Sequence, residues 1–381
     1  MDLALVGFGL MTSHGLSHVF SIAAVSYRLR RKRPKVKTGL QMPSVALLRP
    51  VCGLENFLED SLRTSFTLSY RKLELIFCID DEDDPAIPLV RRLITENPQS
   101  NARLLLGRDR IGANPKINNL VKGYRAATSD FVILSDSNAV LPTDFVETLL
   151  ATFGPDIGVV STAASMTKPE SFSAELECAF INTLQTRWML LADSCSFGFA
   201  QGRTLMFRKA TLDGVGGLVA LTTEAADELA ATRAMRGIGL RSKLAPEPIG
   251  QAIGRRKFAA IWRRQLRWAR LRRAGLPIVY PMEIFIGAFV PFLCATSLVV
   301  AGRMHVGGLL AYMAAWYGLE YAFTRAGRFA FTPRMPLAWF ARDMLLPVLW
   351  VSGLLGNSFM WRGKPLNVAT TTDAPPPAAP G

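Results

Sequence analysis

Acidic side chains follow two apolar segments of the chain, at the point where each segment ends. Residues 73–79 (LELIFCI) are followed by the acidic cluster 80–84, and residues 131–135 (FVILS) are followed by residues 136–138 (DSN). Apolar segments of this kind are typical of buried strands, and the carboxyl ends of parallel strands meet at one edge of a sheet. Carboxylates at that edge can coordinate Mg²⁺ or Mn²⁺, which bridges a diphosphate. We therefore predict a metal and nucleotide site there. The alternative, acids that only keep a turn soluble, would suffice for one strand but not for two.

A third acidic segment lies at residues 224–237 (EAADELAATRAMRG), whose composition predicts a helix. A carboxylate held on a helix can act as a general base toward a hydroxyl group. Asp227 is a candidate for this role, and Glu224 and Glu228 compete with it by composition alone. An exposed helix acid without a chemical role is the simpler alternative for Asp227.

Arginines and a tryptophan occur together in residues 262–273 (WRRQLRWARLRR). Arg264, Arg267 and Trp268 stand three and four residues apart, so they share one face of a helix. A guanidinium group binds phosphate through two parallel hydrogen bonds, and a tryptophan ring can stack on a sugar or contact a lipid. The same segment could be an amphipathic helix that binds anionic lipid headgroups at a membrane surface. The two interpretations are compatible.

Apolar strands alternate with helical segments in the middle of the chain. The predicted strands are residues 44–51, 73–80, 102–107, 131–136 and 157–162, and the predicted helices are residues 53–66, 85–97, 116–127 and 142–153. This alternation predicts βαβ units and a mostly parallel sheet, hence the α/β class. No G-x-G-x-x-G follows a strand, and the five cysteines lack the C-x-x-C spacing of a zinc site.

The composition indicates a membrane protein with a soluble part. Half of the 381 residues are hydrophobic, 19% are charged, and the mean hydropathy is +0.22. A disordered chain would be less hydrophobic, and a soluble domain carries about 25% charged residues. The net charge of +14 is concentrated in residues 28–37 and 254–273. The first cluster directly follows a long apolar segment, as the positive-inside rule expects of a cytoplasmic loop, so we assign no nucleic-acid partner.

Long stretches without charged residues predict the membrane segments. Residues 3–27 carry no charge, and the cations come after this stretch, which indicates an anchor and not a signal peptide. Two apolar stretches between residues 284 and 324 predict a helical hairpin. Residues 336–361 contain Arg342 and Asp343, which are costly at mid-bilayer, so this segment is predicted to be interfacial or re-entrant. The predicted domains are an anchor (1–27), a cytoplasmic catalytic domain (28–280), a transmembrane hairpin (281–324), an interfacial or re-entrant segment (325–368) and a disordered tail (369–381).

Six short motifs occur in a fixed order along the chain. They are DDPAI (83–87), GANPKINNLVKGY (112–124), DSN (136–138), RQLRW (264–268), AWFARD (338–343) and WRGK (361–364). In this order they resemble membrane-bound inverting glycosyltransferases with the GT-A fold, and within these the ceramide glucosyltransferase family, glycosyltransferase family 21. The resemblance covers nearly the whole chain. It implies a Rossmann-like GT-A nucleotide-sugar domain with an N-terminal transmembrane helix and C-terminal membrane helices.

The resemblance also implies roles for the acidic residues. Asp84 would lie in the nucleotide-sugar site, with Asp81 beside it at the uridine. Asp136 would hold a divalent cation, Mg²⁺ or Mn²⁺, on the diphosphate. Asp227 would be the general base. One departure from the family pattern is Asn138, a neutral residue where the third position of D-x-D is usually acidic.

The remaining motif residues have less specific implied roles. Arg264, Arg267 and Trp268 would close over the diphosphate and the acceptor. Lys116 and Asn118 belong to the NPKINNL motif, which gives them no defined role. A second departure is Ala226, where many members of the family have glutamate before the catalytic aspartate.

The resemblance implies a hexosyltransferase that moves glucose from a UDP-sugar to the primary hydroxyl of ceramide with inversion. The expected partners are the UDP-sugar, the lipid acceptor and the membrane. The expected location is the bacterial inner membrane, with the catalytic domain in the cytoplasm. Three alternatives stay open: a related enzyme with another UDP-sugar or another acceptor (a hopanoid-linked lipid or diacylglycerol), a processive polysaccharide synthase, and a non-catalytic membrane protein that binds nucleotides.

Overall fold

The protein was examined as a computed structural model. The structure describes residues 3–31, 42–224, 226–356, 358–361 and 364–367. Residues 32–37 of the basic cluster 28–37, and the tail 369–381 that is predicted to be disordered, lie outside these residues. The chain divides into two compact units, a sheet unit (residues 32–164, 193–252 and 366–381) and a helical unit (residues 1–31, 165–192 and 253–365).

The strands of the described residues are short and begin after the first long helix. They are β1 (Val45–Val51), β2 (Leu73–Ile79), β3 (Ala102–Leu106), β4 (Phe131–Ser135), β5 (Ile157–Ser161), β6 (Ala164–Pro169), β7 (Thr204–Arg208), β8 (Arg241–Leu244), β9 (Ile249–Gly254), β10 (Ser358–Trp361) and β11 (Lys364–Asn367). The first five strands coincide within one residue at each end with the strands predicted from the sequence.

The α-helices of the described residues differ widely in length. They are α1 (Leu3–Arg30), α2 (Leu58–Arg63), α3 (Ile87–Glu96), α4 (Pro115–Ala126), α5 (Phe145–Thr152), α6 (Phe172–Cys178), α7 (Thr186–Ser194), α8 (Lys209–Gly214), α9 (Asp227–Gly237), α10 (Phe258–Gly275), α11 (Phe289–Val300), α12 (Val306–Ala326) and α13 (Met335–Leu354). A π-helix, Ala179–Gln185, joins α6 to α7 without a break.

The sheet unit is built on a seven-stranded sheet with the order β3-β2-β1-β4-β7-β5-β8. Strand β1 pairs in parallel with β2 and β4, β2 pairs in parallel with β3, and β5 pairs in parallel with β8. Only β7 runs antiparallel to its two neighbours, β4 and β5. The sheet is therefore mostly parallel, as predicted.

Both faces of this sheet are buried, as parallel sheets require. Alternate residues of a strand point to opposite faces, so neighbours such as Leu47 and Leu48 of β1 enter two different apolar clusters. Helix α4 approaches one face closely at Gly123, where a Cβ atom would lie 2.6 Å from the Cys78 sulfur. This close approach explains why residue 123, in the motif that also contains Lys116, is a glycine.

The helical unit is organised around α6, the π-helix and α7. Leu176, Phe180 and Leu184 of this segment share an apolar cluster with Ala269 of α10 and Leu346 of α13. Residues 165–192 and 253–280 therefore group with the C-terminal helices, although the sequence predicted them inside a catalytic domain of residues 28–280. Apolar contact of this kind cannot be inferred from the local pattern of the segment.

Helix α13 is the one helix among the described residues that is both long and apolar enough to cross a membrane. It forms a continuous helix of 20 residues where the sequence predicted an interfacial or re-entrant segment. Helix α11 of the predicted hairpin is apolar but has 12 residues, fewer than the about 20 that a span requires. The predicted anchor forms α1, whose His18 stacks on Trp316 at 3.8 Å between ring centroids.

A fully buried ion cluster joins α12 and α13. The Arg342 guanidinium donates to both oxygens of Glu320, at 2.8 and 3.1 Å, and to both oxygens of Asp343, at 2.8 and 3.1 Å. It also donates to Thr183 of the π-helix at 2.9 Å. The pair Arg342–Asp343, which the sequence predicted would be costly in a membrane segment, is thus neutralised within the helical unit.

Replacing Arg342 with methionine is expected to destabilise the protein by about 3–5 kcal/mol, because two buried carboxylates would lose their cation. Thermal unfolding in detergent micelles measures this loss. Arg325→Met, at the exposed end of α12, is the matched control and should change stability little. A loss below about 1 kcal/mol in the Arg342 variant would contradict a role of this cluster in holding the helices together.

Candidate active site

The first predicted site residue, Asp136, lies directly after β4 in a tight turn. The turn is closed by the amide of Ala139, which donates to the carbonyl of Asp136 at 3.1 Å. The Asp136 side chain is 30% exposed. In the same turn, the Asn138 side-chain nitrogen donates to Glu55 at 3.1 Å. The turn therefore presents a carboxylate and an amide at the carboxyl end of a central strand, as predicted.

Lys116 bridges Asp136 to the predicted general base. Its Nζ lies 3.0 Å from Oδ1 of Asp136 and 2.9 Å from Oδ2 of Asp227, and it donates to the carbonyl of Gly202. The Lys116 side chain is 13% exposed and that of Asp227 is 7% exposed. Burial disfavours the charged ammonium, but the two carboxylates outweigh this effect and raise the pKa of Lys116. A nearly buried cation thus holds two acids from distant parts of the sequence together.

The sequence places Lys116 at this point through the start of α4. The Asn114 side chain caps the helix by accepting from the amides of Lys116 and Ile117, and Pro115 occupies the first turn. A lysine in the first helical turn opposes the helix dipole. This unfavourable placement is a sequence signal for a nearby acid, and the prediction from the motif alone did not use it.

Asp227, Glu224 and Glu228, the three candidates for the general base, have different surroundings in the structure. Glu224 forms an ion pair with Arg233, away from the Lys116 contact. Burial, and then the charge of neighbouring Asp227, raise the pKa of Glu228 to about 7. Asp227 is the acid of the three that contacts Lys116.

Gly202 lies against the carboxylate of Glu228. A Cβ atom at this glycine would stand 2.5 Å from Oε2 of Glu228. The backbone of Gly202 also offers its carbonyl to Lys116. The absence of a side chain at this position therefore permits the acids and the ammonium to approach the same segment of backbone.

Asp84 and Asp81, the predicted donor-binding acids, differ in their contacts. The Asp84 carboxylate is buried and accepts from the amide of Gly53, at 2.8 and 3.1 Å, and from that of Ala86 at 2.8 Å. These bonds fix the loop after β1 to the loop after β2. Asp81 is exposed, and one of its oxygens accepts from the amide of Asp83. A direct contact of either residue with a nucleotide stays a prediction.

Asn118 shapes the loop that precedes α4. Its side-chain oxygen accepts from the amides of Ile111 and Gly112 at 3.0 and 3.1 Å, and its nitrogen donates to the carbonyl of Gly112 at 2.8 Å. All of its side-chain polar atoms thus serve the loop. This geometry gives Asn118 a structural role that the motif did not define.

Arg264, Arg267 and Trp268 all lie on α10 in the helical unit, whereas the other predicted site residues lie in the sheet unit. Arg264 pairs with Glu177 of α6 at 2.5 Å, and the Glu177 carboxylate is fully buried. Arg267 and Trp268 are half-buried. Glu177 was missed from the sequence, because its partner is 87 residues away. The predicted contact of Arg264 with a diphosphate stays a prediction.

The turn after β4 fits a hard divalent cation. Asn138 Oδ1 is buried, and no hydrogen-bond partner for it exists among the described residues. The same part of the chain contains no group of three or more histidine, cysteine or acidic side chains that could hold a metal alone. Magnesium-type sites on nucleotides use one or two carboxylates and complete their shell with phosphate and water oxygens. Asp136 supplies a carboxylate oxygen and Asn138 an amide oxygen, and both are ligands that such a cation binds.

Comparison with known proteins connects this chain to one enzyme family. A family model described as glycosyl transferase family 21 matches residues 14–374. Ceramide glucosyltransferase 3 of Caenorhabditis elegans is 27% identical over 98% of this chain and 83% of its own length. A ceramide glucosyltransferase of the yeast Komagataella phaffii is 39% identical over a shorter stretch, 28% of this chain and 22% of its own length.

A solved structure has a similar fold at low identity. A mannosyltransferase of Pyrobaculum calidifontis, in complex with GDP-Man and Mn²⁺, superposes with a TM-score of 0.55 at 18% identity and covers 90% of this chain and 99% of its own. Together with the mostly parallel sheet, this similarity confirms the predicted GT-A fold class.

A double-mutant cycle on Glu177 and Arg264 separates two roles of Arg264. We expect Glu177→Gln and Arg264→Gln each to lower stability by about 2 kcal/mol, because each leaves a partly or fully buried charge unpaired. The double variant should be no less stable than either single variant, because it removes both charges. Thermal unfolding measures these energies, and Arg263→Gln, at an exposed position of the same helix, is the control.

Kinetic constants of the same variants test the alternative role. If Arg264 acts by positioning α10, both single variants should change kcat alike and leave the KM of the nucleotide sugar within about threefold. A KM increase that is confined to Arg264→Gln and persists in the double variant would contradict this expectation and support direct contact with the diphosphate.

Proposed function

Because the chain belongs to glycosyl transferase family 21, we propose that it transfers glucose from UDP-glucose to the primary hydroxyl of ceramide, with inversion at the anomeric carbon. The two relatives named above are ceramide glucosyltransferases. The observation that carries the proposal is the placement of Asp136 and Asp227 on either side of the Lys116 ammonium. This arrangement supports the proposal, because the turn that would bind the diphosphate and the residue that would act as base contact the same lysine.

The proposed chemistry is a single displacement. Asp227 accepts the proton of the acceptor hydroxyl while the hydroxyl oxygen attacks the anomeric carbon, and the UDP oxygen leaves with the bonding electron pair. The positive charge of Lys116 lies against both carboxylates and offsets the repulsion between them.

A divalent cation fits this scheme at the turn after β4. Asp136 and Asn138 would hold it, and when bound it would neutralise charge that develops on the departing diphosphate. The Mn²⁺ complex of the mannosyltransferase with the similar fold supports the choice of metal class. Asp81 and Asp84 would complete the donor site.

The acceptor would reach the enzyme from a membrane. Apolar side chains in the segment after α10 are exposed to solvent, among them Ile278, Val279 and Met282. Helix α13, long and apolar enough to cross a membrane, lies in the same unit. We keep the predicted placement of the sheet unit in the cytoplasm. The named curated relatives come from a nematode and a yeast, so they give the predicted bacterial inner membrane no support.

Asp227→Asn is expected to lower kcat by about 10²–10⁴-fold, because it removes the base but keeps the shape of the side chain. The affinity for UDP, measured by calorimetry, should change little. Glu228→Gln is the matched control, since Gln preserves the shape of the neighbouring acid, and it should retain at least a tenth of the activity. The reverse pattern, with activity lost in Glu228→Gln and kept in Asp227→Asn, would transfer the role of base to Glu228.

A donor-by-acceptor assay tests the function as a whole. Membranes of an expressing host would receive UDP-glucose, UDP-galactose, UDP-glucuronate or UDP-N-acetylglucosamine with ceramide or diacylglycerol, and lipid products would be identified by mass. We expect a monohexosylceramide from UDP-glucose that disappears when EDTA removes divalent cations. A product on another acceptor or from another donor alone would retain the fold and mechanism but overturn the proposed substrate. UDP binding without any product would contradict a transferase acting on these substrates.

A further inference from the structure

Arg49 of β1 is a fully buried cation that neither the motifs nor the proposed chemistry uses. It is 1% exposed and lies in the central part of the sheet, where β1 is flanked by β2 and β4. An arginine in an otherwise apolar, buried strand (VALLRPV) is costly unless its donors are satisfied. Burial lowers its pKa to about 9, so the guanidinium stays charged at neutral pH.

The guanidinium of Arg49 binds the backbone of the turn that carries Asp136 and Asn138. Its Nη2 donates to the carbonyl oxygens of Asp136, Ser137 and Ala139 at 2.8, 2.9 and 2.8 Å. Three of the four carbonyls of residues 136–139 thus converge on one nitrogen. Without this donor, the buried carbonyls of Ser137 and Ala139 would lose a partner, and the carbonyl of Asp136 would keep the amide of Ala139. An unpaired buried carbonyl is unfavourable.

The other terminal nitrogen of Arg49 fixes the guanidinium to the neighbouring helical segment. Nη1 donates to the carbonyl of Ser61 at 3.2 Å and to the hydroxyl of Ser65 at 2.7 Å. The planar guanidinium is therefore held at both ends. The orientation of the turn thus depends on the positions of α2 and β1. A lysine could not reproduce this geometry, because its one ammonium nitrogen cannot occupy both terminal positions, and its three N–H donors cannot serve all five acceptors.

We propose that Arg49 is a positioning residue for the transfer reaction, which holds the turn 136–139 so that the side chains of Asp136 and Asn138 present their oxygens to the diphosphate of the donor and its cation. This proposal rests on the proposed function for the identity of the ligand. Because the turn carbonyls are directed inward to Arg49, the backbone that carries the two side chains has one fixed orientation. The turn is then ordered before the ligand binds, so binding does not have to order it.

The test uses the full-length protein in detergent micelles, with UDP and Mn²⁺ as the probe. Arg49→Lys and Arg49→Met should weaken Mn²⁺-dependent UDP binding, measured by calorimetry, at least tenfold (about 1.4 kcal/mol). Arg91→Lys and Arg91→Met, at an exposed position of α3, are the matched controls and should change the affinity less than twofold. Wild-type affinity in a folded Arg49→Lys or Arg49→Met protein would overturn the proposal.

Hydrogen exchange gives a second readout that does not depend on activity. The amides of residues 139–141 are hydrogen-bonded to Asp136, Gly250 and Thr64, and they should be protected in the unliganded wild type. In Arg49→Lys they should exchange faster, while β2 keeps its protection. Fast exchange of these amides in the unliganded wild type would overturn the proposal even if both Arg49 variants failed to fold.

The two proposals can fail separately. A wild type that binds UDP with Mn²⁺ but makes no glucosylceramide would contradict the proposed function and leave the role of Arg49 intact. A wild type that makes glucosylceramide, while Arg49→Lys binds UDP and Mn²⁺ normally, would overturn the role of Arg49 alone.

Discussion

Lys116 forms ion pairs with Asp136 and Asp227, and the rest of the sheet unit is arranged around these two contacts. Lys116 and Asp227 have little exposure to solvent, and Asp136 is partly exposed. Such a cluster is stable only when the positions of its members are fixed, because a lost partner leaves an unpaired buried charge. Their positions come from three different elements: the first turn of α4, the turn after β4 and the first residue of α9. The parallel strands bring the first two to the same edge, and the close packing of α4 at Gly123 sets the height of the lysine above the sheet.

The helical unit uses the same principle in a different setting. Arg342 is surrounded by Glu320, Asp343 and Thr183, all buried, so one guanidinium holds the two carboxylates of α12 and α13 within the unit. On α10, Arg264 likewise pairs with the buried carboxylate of Glu177. In both units, therefore, polar groups in apolar surroundings select one arrangement of helices, whereas apolar contact alone would tolerate several.

Local sequence patterns were sufficient for the first five strands and for the helices between them, because each strand is a short apolar segment bounded by turn residues. They were also sufficient to place Asp136 at a strand end. They could not reveal the partners of Lys116, the pairing of Arg264 with Glu177, or the use of Asp84 by backbone amides, since each depends on residues far away in the sequence. The pairing of Arg342 in α13 with Glu320 in α12 could not be predicted for the same reason, since the two residues lie on different helices.

The π-helix Ala179–Gln185 has a consequence for how this protein tolerates insertions and deletions. A π-turn accommodates one residue more than an α-turn does, and successive residues of an α-helix are rotated by about 100°. Thr183, within the π-helix, faces Arg342, while Arg187, one turn later, contacts His18 of α1. Loss of a single residue between them, with a return to a regular α-helix, would therefore keep the face of α7 that contacts α1 in place, because the π-helix absorbs the extra residue within its wider turn. A one-residue gap in this segment of a relative is thus compatible with the same packing of its first helix.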